Sequence, residues 1–408
     1  MDSIQPVRDS VLLHPGYLNF AASRVFSSLG FQSVAVAVGW MIYDQTHSAF
    51  ALGLVGLCQF LPMVVLTFVV GQIADRFDRR RIGLVCQLVE ASTVLVLAFA
   101  VWHQSLNATG ILIAVAILGA AQAFERPTMA ALLPNIVPIT LLQRSIATTT
   151  SMMQTALIVG PSLGGLLYGL DAVAPFAVSF VLFLIASINV ISIRMERRTA
   201  PRQPITLASV FAGVSFIRSK PIMLGTISLD LFAVLLGGAT ALLPMFARDI
   251  LHAGPWGLGL LRASPAIGAL TMSIVLARYP LKTGAGRKMF WAVAIFGLAT
   301  IVFALSTSIA LSAAALFVVG ASDTVSVVVR SSLVQLLTPD EMRGRVNAVN
   351  SLFIGTSNQL GEFESGMMAA LLGPVLTGVV GGVGTIIVVL LWIRLFPALT
   401  QVKTLDGG

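Results

Sequence analysis

The stretch GQIADRFDRRRIG, residues 71–83, joins two apolar runs, 49–74 and 82–102. At 1.5 Å per residue, each run is long enough as a helix to cross about 30 Å of hydrocarbon. Gly71 allows close helix contact, and Asp75 ends the first run. Arg76, Arg79, Arg80 and Arg81 then fill a short turn. Arginines gathered at one membrane edge mark the cytoplasmic side.

The pattern extends outward in both directions. The 408 residues are 57% hydrophobic and 10% charged, with mean hydropathy +0.93. A soluble domain carries about 25% charged residues, so soluble folding is excluded. The runs are continuous rather than alternating, which excludes a β-barrel. Spans read at 18–43, 49–74, 82–102, 109–133, 141–169, 173–193, 221–247, 254–277, 288–308, 310–336, 345–372 and 374–395. Only helices satisfy every backbone group of such runs in lipid. The expectation is an all-α membrane protein with twelve transmembrane helices in two pseudo-symmetric six-helix bundles.

The expected division is 1–193 for the first bundle, 194–220 for a cytoplasmic linker and 221–408 for the second. The linker is basic and Pro-containing (RMERRTAPRQP). It then turns amphipathic, with Leu207, Val210, Phe211, Val214, Phe216 and Ile217 at near-helical spacing, as an interfacial helix would be. With the N-terminus inside, 20 of the 25 Lys and Arg face the cytoplasm. Arg248 alone falls outside, and Arg24, Arg126, Arg262 and Arg330 lie within spans. This asymmetry puts both termini on the cytoplasmic side of the membrane; a bacterial cytoplasmic (inner) membrane is the expected location.

An ungapped offset of 201 residues reveals an internal repeat. It superposes Gly119 on Gly320, Pro138 on Pro339, Gly160 on Gly361 and Gly165 on Gly366. Parallel six-helix repeats are one of the architectures of secondary transporters.

Three stretches carry a family resemblance. Gly71–Gly83 resembles the G-x-x-x-D-R-x-x-R-R signature of the major facilitator superfamily. The resemblance implies a cytoplasmic gate made by Gly71, Asp75, Arg76, Arg79 and Arg80, with the aspartate touching the start of the eleventh helix. The second-half counterpart, ARYPLKTGAGRK (277–288), keeps the bases and lacks the acid, so an asymmetric gate is expected. GPSLGG (160–165) interrupts the fifth span with Gly160, Pro161, Gly164 and Gly165, a combination that kinks helices and allows close packing. It resembles the fifth-helix motif of drug-exporting antiporters. Residues 241–270 and 338–366 resemble the branch that contains the enterobactin exporter. Export is what these resemblances imply.

Acids inside spans carry the remaining signal. A charge at mid-bilayer costs roughly 3 kcal/mol on insertion scales unless it is protonated, paired or wet. Six lie there: Glu90, Glu125, Asp230, Asp323, Glu362 and Glu364. Asp323 sits near a midplane, with Arg330 on nearly the same face about 10 Å along the axis. They read as neighbours on one polar path rather than a direct pair. Glu362 and Glu364 point about 200° apart around their helix, so only one of them can face a central cavity. Asn358 shares the face of Glu362, and Gln359 lies one turn before it. Interhelical hydrogen bonding, to Arg262 or to a backbone group, is the competing role for the pair.

Asp323, Glu362, Glu364 and Asp230, in that order, are the expected proton-coupling or substrate-contacting acids. Arg330, Asn358, Gln359 and Gln32 are expected beside them. Glu90, Glu125 and Arg126 read as a structural ion-pair network.

The functional expectation is a secondary active transporter that exports a small organic molecule by proton-coupled alternating access. A proton-independent facilitator, a lipid-type flippase and a non-transporting sensor or scaffold are the alternatives. Its partners would be the substrate, protons and the bilayer, acting as a monomer without nucleic acid. The +8 net charge belongs to loops and is not interleaved with aromatics. No enzyme, cofactor or metal is expected. Cys58 and Cys86 lie in apolar runs, and no phosphate-binding GxxxxGK[ST] loop is present. The first 16 residues lack the apolar core of a cleavable signal.

Overall fold

The computed structural model describes residues 11, 14–193, 207–237, 239–281 and 283–402. Among them there is no strand. The first half contains α1 (Pro15–Thr46), α2 (Ala49–Arg76), α3 (Arg79–Trp102), α4 (Ala108–Leu132), α5 (Ile139–Leu170) and α6 (Ala174–Ile191). A short helix α7 (Leu207–Ser219) follows. The second half contains α8 (Pro221–Leu236), α9 (Gly254–Arg278), α10 (Ala285–Leu305), α11 (Ile309–Leu337), α12 (Asp340–Leu372) and α13 (Pro374–Leu395). A 3-10 turn and a π-helical turn, Phe246–Ile250, extend α8.

Eleven of these segments are long and apolar enough to cross a membrane, the seventh running from Pro221 to Ile250. The twelfth, α12, has 33 residues but is too polar to meet the same measure. It is the helix that carries Glu362 and Glu364.

Sequence chemistry sets the helix ends. Ser48 and Asn107 accept hydrogen bonds from Ala51 N and Gly110 N and so cap α2 and α4. The basic turn differs from its expected form. Asp78 caps α3, so Arg79, Arg80 and Arg81 form the first turn of that helix rather than a loop. Arginines at a helix N-terminus oppose the dipole, and the Asp78 carboxylate offsets them. Arg79 Nη1 donates to Ala131 O at 3.1 Å, and Arg80 Nη1 donates to Ile193 O at 3.0 Å. The motif thus ties α3 to the ends of α4 and α6. The side chain of Asp75 lies outside the described residues, as does the linker 194–206.

Packing follows the repeat. Helix α1 lies on α5 and α6, and α3 lies on α4 and α6. In the second half, α10 lies on α11 and α13, and α12 lies on α8 and α13. The halves meet where α5 crosses α9 and where α2 crosses α12. Each contact joins the second helix of one half to the fifth of the other. Helix α7 buries Ile217 and packs on α12, where a Cβ on Gly213 would meet Arg345 O at 2.9 Å.

Candidate substrate cavity between the halves

The cavity is built from four polar side chains expected at the site and two that were not assigned to it. Glu362, Gln359 and Asn358 of α12 and Gln32 of α1 line one space of about 240 Å³. Gln59 of α2 and Arg262 of α9 complete its polar wall. Phe31, Val34, Val38, Val55, Val115 and Leu118 make the apolar wall. Both halves therefore contribute to one amphipathic chamber, the usual character of a small-molecule site.

Glycines position these side chains. A Cβ on Gly56 would lie 3.0 Å from Glu362 Oε2, so α2 can approach α12 only as glycine there. A Cβ on Gly160 would lie 2.6 Å from Gln32 Cβ, and one on Gly164 would lie 2.6 Å from Ser33 O. The GPSLGG stretch therefore seats α1 against α5 and fixes where Gln32 points. Arg262 reaches α1, its Nη2 being 3.2 Å from where a Gly39 Cβ would stand. Among the described residues no ion pair joins Arg262 to Glu362, although both line the chamber. Gln359 Oε1 is buried without a partner. The chamber thus presents a cation, a carboxyl group and, among the described residues, an acceptor without a hydrogen-bond partner.

The other expected acids lie elsewhere. Asp230 of α8 and Arg330 of α11 form a buried ion pair. Asp323 borders the space beside Asp230, with Ser322 and Ser326, and that space is only about 10 Å³. Such a void holds no more than about one water. In this conformation Asp323, Asp230 and Arg330 are therefore separated from the 240 Å³ chamber. The polar path along α11 resolves into a cross-helix pair, because Asp230 rather than Asp323 meets the arginine. Glu364 lines neither space, and Ser365 Oγ approaches its Oε2 at 3.5 Å.

The chamber is closed at one end. There the last turn of α1 meets the π-helical turn after α8: Asp44 pairs with Arg248, and Tyr43 donates to Asp249. Two glycine crossings seal the same end. A Cβ on Gly53 would lie 3.1 Å from Gly366 Cα, and one on Gly259 would lie 3.2 Å from Gly165 Cα. At the other end, Arg144, Thr148, Ser151 and Thr155 recur along one face of α5 and remain at least partly exposed.

Gln59 and Arg262 are the cavity residues that sequence reading did not place there. Gln59 gives the same signal as Gln32, a lone amide in an apolar span. Arg262 is an intramembrane cation, which by default marks a functional site.

Two six-helix halves around an amphipathic chamber are the architecture of a membrane transporter, a class that is not enzymatic. The chain belongs to the Major Facilitator Superfamily, whose family model matches residues 20–362. The macrolide efflux protein A of Streptococcus pyogenes is 25% identical over 271 residues, covering 63% of this chain and 65% of that protein. The chain thus matches just under two thirds of that relative's length. The multidrug efflux pump Tap of Mycobacterium tuberculosis is 24% identical over 347 residues, covering 81% of each chain. The enterobactin exporter EntS of Citrobacter koseri is 25% identical over 414 residues, covering 96% of this chain and 94% of that one. Among solved structures, a bacterial homologue of the lysosomal transporter Spinster superposes with TM-score 0.71 at 13% identity, covering 94% and 95% of the two chains. A bacterial homologue of the iron transporter ferroportin superposes with TM-score 0.70 at 15% identity, covering 95% and 99%.

Proposed function

We propose that this transporter exports a small organic molecule from a bacterial cell by proton-coupled alternating access. It would act as a monomer in the cytoplasmic membrane, with both termini in the cytoplasm. Residues 1–193 and 221–408 would be the bundles that rock about the chamber. The single observation that carries this reading is the chamber itself. Its walls come from both halves, and it is sealed at one end by contacts made only between halves. Breaking those contacts while making others at the opposite end would expose the same site to the other side. Efflux by the similar proteins supports the outward direction.

Glu362 and Arg262 are the charged groups a substrate would meet. An amphipathic molecule would lay its apolar face on Phe31, Val38 and Leu118 and its polar edge on α12. Protons would drive export because a protonated carrier and a substrate-loaded carrier favour different conformations.

Reconstituted protein loaded with a macrolide, ethidium or a catecholate siderophore tests the reading. Export of at least one probe that rises with an imposed pH gradient is expected. Transport indifferent to the gradient would assign a proton-independent facilitator instead.

A further inference from the structure

A second buried polar centre lies inside the first half, away from the chamber. Glu90 of α3 and Glu125 of α4 are 0% and 1% exposed. One amide bridges them: Gln122 Nε2 donates to Glu90 Oε1 at 2.7 Å and to Glu125 Oε2 at 2.9 Å. Sharing one donor nitrogen makes the two carboxyls near neighbours. Ser27 Oγ of α1 donates to Glu125 Oε2 at 3.1 Å, and Gln87 Nε2 of α3 donates to Glu125 Oε1 at 2.9 Å.

This is not the ion-pair network that the sequence suggests. Among the described residues no Lys or Arg lies within ion-pair distance of either glutamate. The donors are amides and a hydroxyl, and they are unequally shared. Glu125 accepts on both oxygens, whereas Glu90 Oε2 is buried with no donor. Gln87 is itself 0% exposed, and its Oε1 is likewise buried and unpartnered. The cluster therefore lacks a hydrogen. Two buried carboxylates that share one amide donor and touch no cation are costly to hold with both charges present. A single proton on Glu90 Oε2 gives that bare oxygen a hydrogen and removes one charge.

The surrounding groups are few. Arg126 of α4 donates from Nε to Gln122 Oε1 at 2.8 Å, and Arg24 of α1 stands within electrostatic reach of Arg126. Cys86 of α3 also lies near both glutamates. Helix α6 carries no charged residue, and α2 carries none before Asp75. Arg126 is exposed, and its guanidinium sits 6.0 Å from the Phe31 ring, which lines the substrate chamber. A chain of contacts thus runs from Glu90 through Gln122 and Arg126 to Phe31.

We propose that Glu90 and Glu125 form a proton-binding carboxyl pair that holds one exchangeable proton. Its use in transport rests on the proton-coupled reading above. In that use, the proton exchanges along the Gln122–Arg126 side of the pair. Its arrival or loss reorients Gln122 and Arg126 and is felt at Phe31.

Infrared titration of the purified full-length protein tests the site without any substrate. A protonated-carboxyl C=O band that titrates with pH is expected in the wild type. It should disappear in Glu90→Gln or Glu125→Gln. In Ser27→Ala, which removes one donor to Glu125, the band should remain but change its titration midpoint. A band indifferent to all three substitutions overturns the proposal, and the mild Ser27 variant preserves the test if a glutamine variant fails to fold.

Transport of a radiolabelled macrolide in proteoliposomes then separates site from use. Expected in both glutamine variants is a loss of about tenfold in pH-gradient-driven flux with substrate counterflow retained. Wild-type flux that ignores the gradient would sink the proton-coupled reading and leave the proton site standing. Gradient-driven flux equal in wild type and both variants would overturn the coupling role.

Discussion

Gly366 lies so close to Gly53 that a Cβ on Gly366 would stand 2.5 Å from the Gly53 Cα. The repeat-related crossing sets Gly165 against Gly259. Helices seal this end of the chamber only because four positions lack side chains. Gly366→Val and Gly165→Val should each prevent closure and reduce transport by about tenfold or more, while leaving each half folded. Efflux assays on folded, monodisperse variants check this. Wild-type efflux from Gly366→Val would show that the crossing need not close.

Asp44 and Arg248 close the same end by charge. The pair is partly exposed, with side chains 49% and 29% accessible, so its worth in stability is small, about 0–1 kcal/mol. Its effect should appear in conformational balance instead. Cysteines at both positions, oxidised to a disulfide, should stop transport, and reduction should restore it. Charge reversal of both residues together should retain more activity than either reversal alone.

Asp230 and Arg330 form the buried pair of the second half. Removing one member strands the other in a low-dielectric interior. Arg330→Met should therefore destabilise the protein by about 3–5 kcal/mol, and adding Asp230→Asn should recover much of the loss. Thermal denaturation of the three variants in detergent measures it. A fully additive double variant would contradict the pairing.

Asp78 offers a pH signature outside the membrane. The side-chain hydrogen bond from Arg80 holds its carboxyl below the usual carboxylate value. A depressed value in the folded state means stabilisation that is complete above about pH 4, the ordinary carboxylate value, and is lost as pH falls through the folded value. Asp78→Ala also removes the α3 cap, worth about 1 kcal/mol. Its melting temperature should fall below wild type at neutral pH, and the gap should narrow under acid.

Arg262 and Glu362 oppose each other in charge across one chamber. Arg262→Gln should weaken export of anionic probes such as a catecholate siderophore. Glu362→Gln should instead weaken export of a cationic probe such as ethidium. Dose–response growth curves and dye efflux distinguish the two. Equal effects of both variants on both probes would assign the residues to packing.

The helices were legible because lipid imposes one demand, a long apolar run, and eleven segments meet it plainly. Helix α12 was legible despite its polarity, because Gly361 and Gly366 repeat Gly160 and Gly165. The chamber was half legible. Glu362, Asn358, Gln359 and Gln32 stand out as polar residues in apolar spans, and the structure gathers them. What the sequence does not encode locally is which helices become neighbours. Asp230 and Arg330 are 100 residues apart, and their pairing depends on the packing of α8 near α11. The role of Glu125 depends on amides from two helices and a hydroxyl from a third. One-dimensional spacing shows only that Arg126 follows it.

The polarity of α12 bears on how the chain is made. As it emerges from the ribosome, the segment offers the translocon Glu362 and Glu364, four amides (Asn347, Asn350, Asn358 and Gln359) and four charged residues in its first two turns. Alone, it would partition poorly into lipid. Its insertion should therefore depend on α13, the more apolar helix that follows, and on the α2 and α8 surfaces it packs against. Biogenesis of the second half therefore ends as a cooperative event, and a chain halted after residue 372 should leave its eleventh span outside the hydrocarbon.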